Sequence, residues 1–122
     1  MPTEYENLVT ALKATVIPFE EYGWKTRPNR DYYGVITPDM EADSADGDSE
    51  KLDRSWSTSV DVFFRKITDR KMIITTVEGI LDAACGSCWE MNSNQHETQT
   101  GLFHIAWICE VAGEITAEAG DS

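Results

Sequence analysis

Two stretches of the chain alternate apolar and polar side chains, and this alternation constrains the fold more than any other feature. In 55–65 and again in 102–111, every second residue is apolar or small. Successive side chains of a β-strand point to opposite faces, so each stretch predicts a strand with one buried face. The predicted buried residues are Trp56, Thr58, Val60, Val62 and Phe64 in the first stretch and Phe103, Ile105, Trp107, Cys109 and Val111 in the second.

Two other stretches have the spacing of amphipathic helices. Thr3 and Glu6 form a capping-box pair, and apolar residues then recur at three- and four-residue steps until Pro18 ends the helix near residue 15. A second helix is predicted over Asp69–Ala84, with Asp69 as its N-cap and Gly86 at its C-terminal end.

The remaining segments are shorter or more polar. We expect a loop over 23–31, a strand over 32–37 closed by Pro38, a short strand over 88–91 and a polar turn region over 92–101. Segment 39–54 carries seven acidic residues and predicts a mobile acidic β-hairpin arm, whereas 113–122 predicts a disordered tail.

The order of these elements is helix, short strand, long hairpin, helix and second hairpin. This order predicts an α+β fold, a two-layer sandwich in which an antiparallel sheet of about four to five strands packs against two helices. A single domain over 1–112 is expected, with the arm projecting from it.

The charge composition excludes some classes of partner. The chain has 22 Asp and Glu against 10 Lys and Arg, a net charge of -12, and all ten basic residues lie at or before Lys71. Such acidity argues against specific nucleic-acid binding and against an anionic membrane surface. The odd cysteine count of three, the lack of a long apolar run and an N-terminus without signal-peptide features predict a soluble protein made in the cytoplasm.

The Cys85–Cys88 pair has the C-x-x-C spacing of redox and zinc sites. A redox thiol needs a helix N-terminus to lower its pKa, whereas Cys85 falls at a predicted helix C-terminus. A zinc site would need Cys109, His96 or His104 as further ligands, and a second ligand pair with zinc spacing is absent from the sequence. Small structural residues are therefore the favoured interpretation, and no cofactor or metal is predicted.

Two other groups of residues invite a reading as catalytic or metal sites. The acids of 43–50 flank only one glycine and match an EF-hand loop poorly, so a solvated acidic loop is favoured over a calcium site. His96 and His104 lie outside any nucleophile or metal motif, and the chain is predicted not to be an enzyme.

The candidate functional residues are those of a protein interface. Trp24 lies in a basic loop and is an aromatic anchor candidate, while Asp61 is a polar residue that we expect at a subunit boundary. The basic loop is complementary to the acidic arm or the acidic second half of a neighbouring copy, which suits head-to-tail assembly. The predicted interface residues are Trp24, Arg27, Arg30, Asp43, Asp46, Asp48, Asp61 and His104.

Over 8–111 the chain resembles the small tail-completion or tail-terminator proteins of long-tailed bacteriophages with noncontractile tails, which are encoded in the head-to-tail joining region. The resemblance lies in the order of elements and in these segments: a leading helix ending in Val16-Ile17-Pro18-Phe19, the strand Tyr32-Tyr33-Gly34-Val35-Ile36, the arm with Ala45-Asp46-Gly47, the strand Ser59-Val60-Asp61-Val62-Phe63-Phe64-Arg65, a helix with Glu78, Ile80 and Leu81, and a closing strand.

The resemblance implies a structural virion protein located in the tail or neck. Such proteins form a homo-oligomeric ring, commonly of six copies, that completes the tail tube and joins it to the head-side connector, so the implied partners are further copies, the tail tube protein and the head-closure protein. An acidic lumen would let DNA pass without holding it. The Cys85–Cys88 pair and the acidic second half depart from the family pattern. They leave open another neck or head-closure role, or a small thiol or metal protein using Cys85 and Cys88.

Overall fold

The predicted α+β class is confirmed by the structure, a computed structural model that describes residues 3–39 and 55–112. The described residues form one five-stranded sheet and two helices. In chain order the elements are α1 (Glu4–Lys13), β1 (Phe19–Glu21), β2 (Tyr32–Asp39), β3 (Ser55–Phe64), a 3-10 turn (Ile67–Asp69), α2 (Arg70–Cys85), β4 (Trp89–Glu97) and β5 (Leu102–Ala112).

The strands lie in the order β1-β2-β3-β5-β4. Three of the pairings are antiparallel, with Ser59 opposite Thr37 on one side and opposite Ile108 on the other. The edge strand β1 runs parallel to β2, so the expected purely antiparallel sheet is wrong at this edge. The reason is the loop 22–31, which carries the chain back along the sheet after β1 so that β2 starts in the same direction.

The parallel pairing of β1 with β2 places Phe19 beside Gly34. The Gly34 amide donates to the Pro18 carbonyl at 2.8 Å, and the Phe19 ring lies over the glycine. A Cβ at position 34 would overlap this ring, with Cζ at 2.8 Å and two further ring atoms closer. Glycine is therefore required for the close approach of β1 to β2.

Both helices pack on one face of the sheet. The even-numbered residues of β3 and the odd-numbered residues of β5 point toward the helices, as the alternation predicts, although only the backbone of Trp56 is described. The largest fully buried side chain is Trp107. The fully buried core comprises Leu8, Leu12 and Ile17 around α1, Ile36, Val60, Val62, Phe64, Ile105, Trp107 and Cys109 in the sheet, and Ile73, Val77 and Leu81 in α2.

The predicted helix ends are largely confirmed. Thr3 and Glu6 form a reciprocal capping box, and Gly86 ends α2 with a φ of 62°. Asp69 occupies the N-cap position of α2 but makes no capping hydrogen bond through its side chain. The 3-10 turn that ends at Asp69 already holds this residue in helical conformation, and a capping side chain needs an extended backbone.

Two predictions about strand ends are wrong. Segment 92–97, expected within a polar turn, belongs to β4, and the turn occupies 98–101 with Gly101 at a φ of 75°. This strand lies at the sheet edge and is mostly exposed, so backbone pairing with β5 fixes it without an apolar pattern. Strand β2 continues through Pro38 to Asp39 instead of closing before the proline. The β4–β5 register shifts between Met91 and Ser93.

Several expectations concern residues outside the described ranges. Except for Asp39 at the end of β2, the predicted acidic arm falls outside them, and so does the predicted tail over 113–122. Within 3–39 and 55–112, no helix is long and apolar enough to cross a membrane.

Candidate functional site

On the face of the sheet opposite α1 and α2, residues 3–39 and 55–112 place no helix, and this face is called the helix-free face below. It carries a row of aromatic rings that crosses three strands. Tyr33 of β2 stacks on Phe63 of β3 with ring centroids 5.3 Å apart, and Phe63 stacks on His104 of β5 at 4.2 Å. Trp24 extends the row with an edge contact to Tyr33 at 6.5 Å. Since the three stacked rings use their faces on one another, the row presents mainly ring edges to a partner.

His104 ends this row between two carboxylates. Its Nε2 lies 2.7 Å from Asp61 Oδ2, and its Nδ1 lies 3.1 Å from Glu97 Oε2. The other oxygen of Asp61 accepts a hydrogen bond from the Ser59 hydroxyl at 2.8 Å. The antiparallel registers of β3, β5 and β4 bring these residues together, because Phe63 lies opposite His104 and Gln95 lies opposite it on the other side.

The surroundings of His104 favour its protonated form. The hydrogen bond to Asp61 raises the pKa of His104 above its ordinary value of 6.5, and the charges of Asp61 and Glu97 raise it further, while burial lowers it. Both ring nitrogens face carboxylate oxygens, and only a doubly protonated imidazole can donate to both. His104 is therefore the cation of a small charge cluster on the helix-free face.

We expect the contribution of His104 to stability to fall as the pH rises. A folded-state pKa raised above the unfolded value stabilises the fold fully below about pH 6.5, and this stabilisation is lost as the pH passes through the folded pKa. His104→Gln should therefore cost on the order of 1–3 kcal/mol near pH 6 and clearly less near pH 9. Urea unfolding of both proteins at the two pH values measures this. An equal cost at both values would contradict a charged His104.

The contacts of His104 differ from those of a catalytic histidine. A general base needs a free ring nitrogen near the group it deprotonates, but both nitrogens of His104 are paired with acids. The nearest hydroxyl group of the cluster, Ser59, donates to Asp61 and not to the histidine. The two carboxylates hold His104 in place as a positive charge within a surface of polar and aromatic side chains.

The predicted interface residues are partly brought together. Asp61 and His104, expected at a subunit boundary, contact each other within one chain. Trp24 is half-buried and donates from Nε1 to the Gly34 carbonyl at 3.0 Å, whereas Arg27 and Arg30 are exposed in the same loop. The predicted interface residues Asp43, Asp46 and Asp48 lie outside the described ranges.

The cysteines lie at the C-terminal end of α2 and on β5. Cys85 donates from its Sγ to the Leu81 carbonyl at 3.2 Å, and burial raises its pKa. Burial also raises the pKa of Cys109, which neighbours Cys85, while Cys88 is exposed. In the described part of the chain, no three His, Cys, Asp or Glu side chains are arranged to hold a metal ion.

The remaining histidine, His96, was expected in a polar turn and lies instead on β4. It is exposed and stacks on Phe103 with ring centroids 4.5 Å apart. The register places it opposite Phe103, while Cys109 lies opposite Trp89 at the other end of the same two strands. His96 is therefore separated along the sheet from the cysteines with which it would have to share a zinc ion.

One charged surface is larger than the basic loop that the sequence predicts. The antiparallel pairing of Tyr32 with Phe64 brings the segments 27–31 and 65–71 to one end of the sheet, called the basic end below. These segments contain six basic and two acidic residues. They contact each other through the Arg65 amide, which donates to the Asp31 carbonyl at 3.0 Å, and through the Lys66–Asp31 ion pair at 3.3 Å. The signal was available, because both segments flank strands predicted to be neighbours.

The opposite end of the sheet, where β4 begins and β5 ends, is called the acidic end below. Glu90 and Glu110 are exposed there, Asp82 accepts a 2.8 Å hydrogen bond from Trp89 Nε1, and the sequence has no Lys or Arg after position 71. A shallow depression of about 320 Å³ lies between the two strands. It is lined by Ser87, Cys88, Trp89, Glu90, Ile108, Cys109 and Glu110.

Comparison of the chain with protein-family models, with curated protein sequences and with solved structures found no match.

Proposed function

We propose that this chain is a structural virion protein that assembles into a homo-oligomeric ring of about six copies, completes the tail tube of a bacteriophage and joins it to the head-side connector. The resemblance of the sequence to tail-completion and tail-terminator proteins motivates the proposal. The observation that carries it is the helix-free face, which holds an aromatic row and a charge cluster on a rigid sheet.

The helix-free face has the composition of a protein interface. Aromatic residues are enriched in interfaces, and here Tyr33 and Phe63 lie half-buried on the helix-free face, next to the basic end. Val35 and Ile108, both half-buried, add aliphatic surface to the same face. The charge cluster of His104 supplies polar groups of the kind that fix the register of a contact.

The chemistry of the described side chains also favours a structural role over a catalytic one. The ring nitrogens of His104 are engaged by Asp61 and Glu97, and burial raises the pKa of the Cys85 and Cys109 thiols, which keeps them protonated and weakly nucleophilic. A ring that terminates a tube works by shape and by contacts between copies, and it needs no activated group.

The proposal is tested by placing a charge on the helix-free face. Val35→Arg puts a guanidinium in the middle of this face, whereas Thr75→Arg puts the same group on the exposed side of α2. We expect the wild-type chain and Thr75→Arg to form rings, seen by sedimentation and electron microscopy, and to cap purified tail tubes. Val35→Arg should fold and remain monomeric, because its long charged side chain, opposite Asp61, would occupy the surface that a neighbouring copy covers.

Two outcomes would contradict the proposal in different ways. A wild-type chain that stays monomeric alone and in the presence of tail tubes and connectors would exclude the ring function. A ring that binds the connector but not the tube would favour the alternative, a head-closure component. Circular dichroism and thermal melting of both variants confirm that any loss of assembly is not a loss of folding.

A further inference from the structure

We infer that the basic end of one copy docks on the acidic end of the next copy, so that the oligomer is built by a head-to-tail contact. This inference rests on the proposed ring function and specifies the contact within it. Glu90 and Glu110 lie level with positions 59 and 57 of β3, roughly 20–26 Å along the strand from Arg65 at the basic end. One molecule therefore carries two complementary surfaces that cannot meet each other.

The basic end has cationic groups that the chain itself leaves available. The side chains of Arg27 and Arg30 are exposed, and the charges of Arg27 and Arg65 act on the nearby Tyr33 at the end of the aromatic row.

The acidic end has a shape and a charge that suit a basic side chain. The residues that line its depression of about 320 Å³ include Glu90 and Glu110 together with Trp89 and Ile108. An arginine side chain can bury its apolar methylene stem and stack its guanidinium on an aromatic ring. The same guanidinium can pair with carboxylates. The described residues place no arginine or lysine at this end, and the exposed arginines of a second copy can supply the cation.

A second copy fits the basic end better than a nucleic acid does. A duplex carries dense negative charge and would be repelled by a chain with a net charge of -12. The acidic end of another copy brings a few carboxylates close to the basic end instead of a continuous row of phosphates, and it comes with a depression on the same molecule. A contact between two different surfaces is heterologous, and such contacts close into rings when the rotation between neighbours allows it.

Charge reversal at the two ends tests the inference. Arg27→Glu with Arg30→Glu reverses the charge of two exposed arginines of the basic end, and Glu90→Lys with Glu110→Lys reverses the charge of the two exposed glutamates of the acidic end. We expect each double variant alone to associate at least about tenfold more weakly than the wild-type chain. An equimolar mixture of the two should recover assembly, because every junction of an alternating ring is again complementary.

A matched control separates local charge from net charge. Thr75→Lys also makes the net charge less negative, but it lies on the exposed side of α2, away from both ends and from the helix-free face, so we expect it to assemble like the wild-type chain. Rings that form normally from the double variants, or a mixture that does not recover assembly, would overturn the head-to-tail contact and leave the ring function standing. A wild-type chain that binds duplex DNA through the basic end and never self-associates would overturn both.

Discussion

Gly34→Ala is expected to destabilise the fold by about 2–3 kcal/mol, because the added methyl overlaps the ring of Phe19. Phe19 is buried, with only 4% of its surface exposed, so its ring has little room to move aside. Either β1 separates from β2 or the ring leaves the core. Urea unfolding, with the free energy extrapolated to water, measures the loss.

A second glycine provides the matched control. Gly79 lies inside α2, and a Cβ there meets nothing within 4 Å. Gly79→Ala should stabilise the fold by about 0.5–1 kcal/mol, since glycine is the poorer helix former. Adding Phe19→Leu to Gly34→Ala should cost less than the sum of the two single changes. Strict additivity of these two changes would show that the ring is not the obstacle.

Trp107→Ala is expected to cost about 3–5 kcal/mol, which is a large part of the stability of a domain of this size. Trp107 is fully buried at the centre of the core, and its Nε1 donates to Glu78 Oε2 of α2 at 2.9 Å. The substitution leaves a cavity between sheet and helix and removes this link. Trp107→Phe keeps most of the apolar volume and should cost clearly less.

Trp89 gives the control for the hydrogen bond alone. Its indole donates to Asp82 one helical turn after Glu78, but this contact is exposed. Trp89→Phe should therefore cost less than about 1 kcal/mol. Chemical unfolding of the Trp107 and Trp89 variants under one condition compares them. A similar cost for Trp107→Ala and Trp89→Phe would show that burial of Trp107 contributes little.

The fold was predictable where one periodic pattern determines one buried face. The alternation around Val60 and Ile105 identified the core face of β3 and β5, and the helical spacing around Ile73 did the same for α2. Such a pattern determines the orientation of a strand, because shifting the strand by one residue would expose its whole apolar face.

The remaining elements depend on contacts distant in the sequence. The strand character of 92–97 comes from pairing with β5, which supplies hydrogen bonds that a polar segment cannot provide for itself. The parallel direction of β1 follows from the path of the loop 22–31. No local sequence pattern indicates that path. Both features appear only when the whole sheet is assembled.

Individual residues of the candidate site could be predicted from the sequence, but the contacts between them could not. Asp61 and His104 stood out as polar residues on strands, yet they are 43 positions apart and meet only because the β3–β5 register is fixed. The third member, Glu97, was placed in a turn and was not selected. The basic end likewise required the knowledge that Tyr32 and Phe64 are neighbours.

The register shift in β4 has a consequence for the behaviour of the protein at high concentration. An irregular edge strand with exposed polar and acidic side chains is a poor template for the strand of another molecule. Open-ended growth of one sheet into the next, the route to fibrous aggregates, is thereby discouraged at this edge. Copies of the chain can then meet through their side chains while the backbone of this edge stays closed to a neighbour's strand.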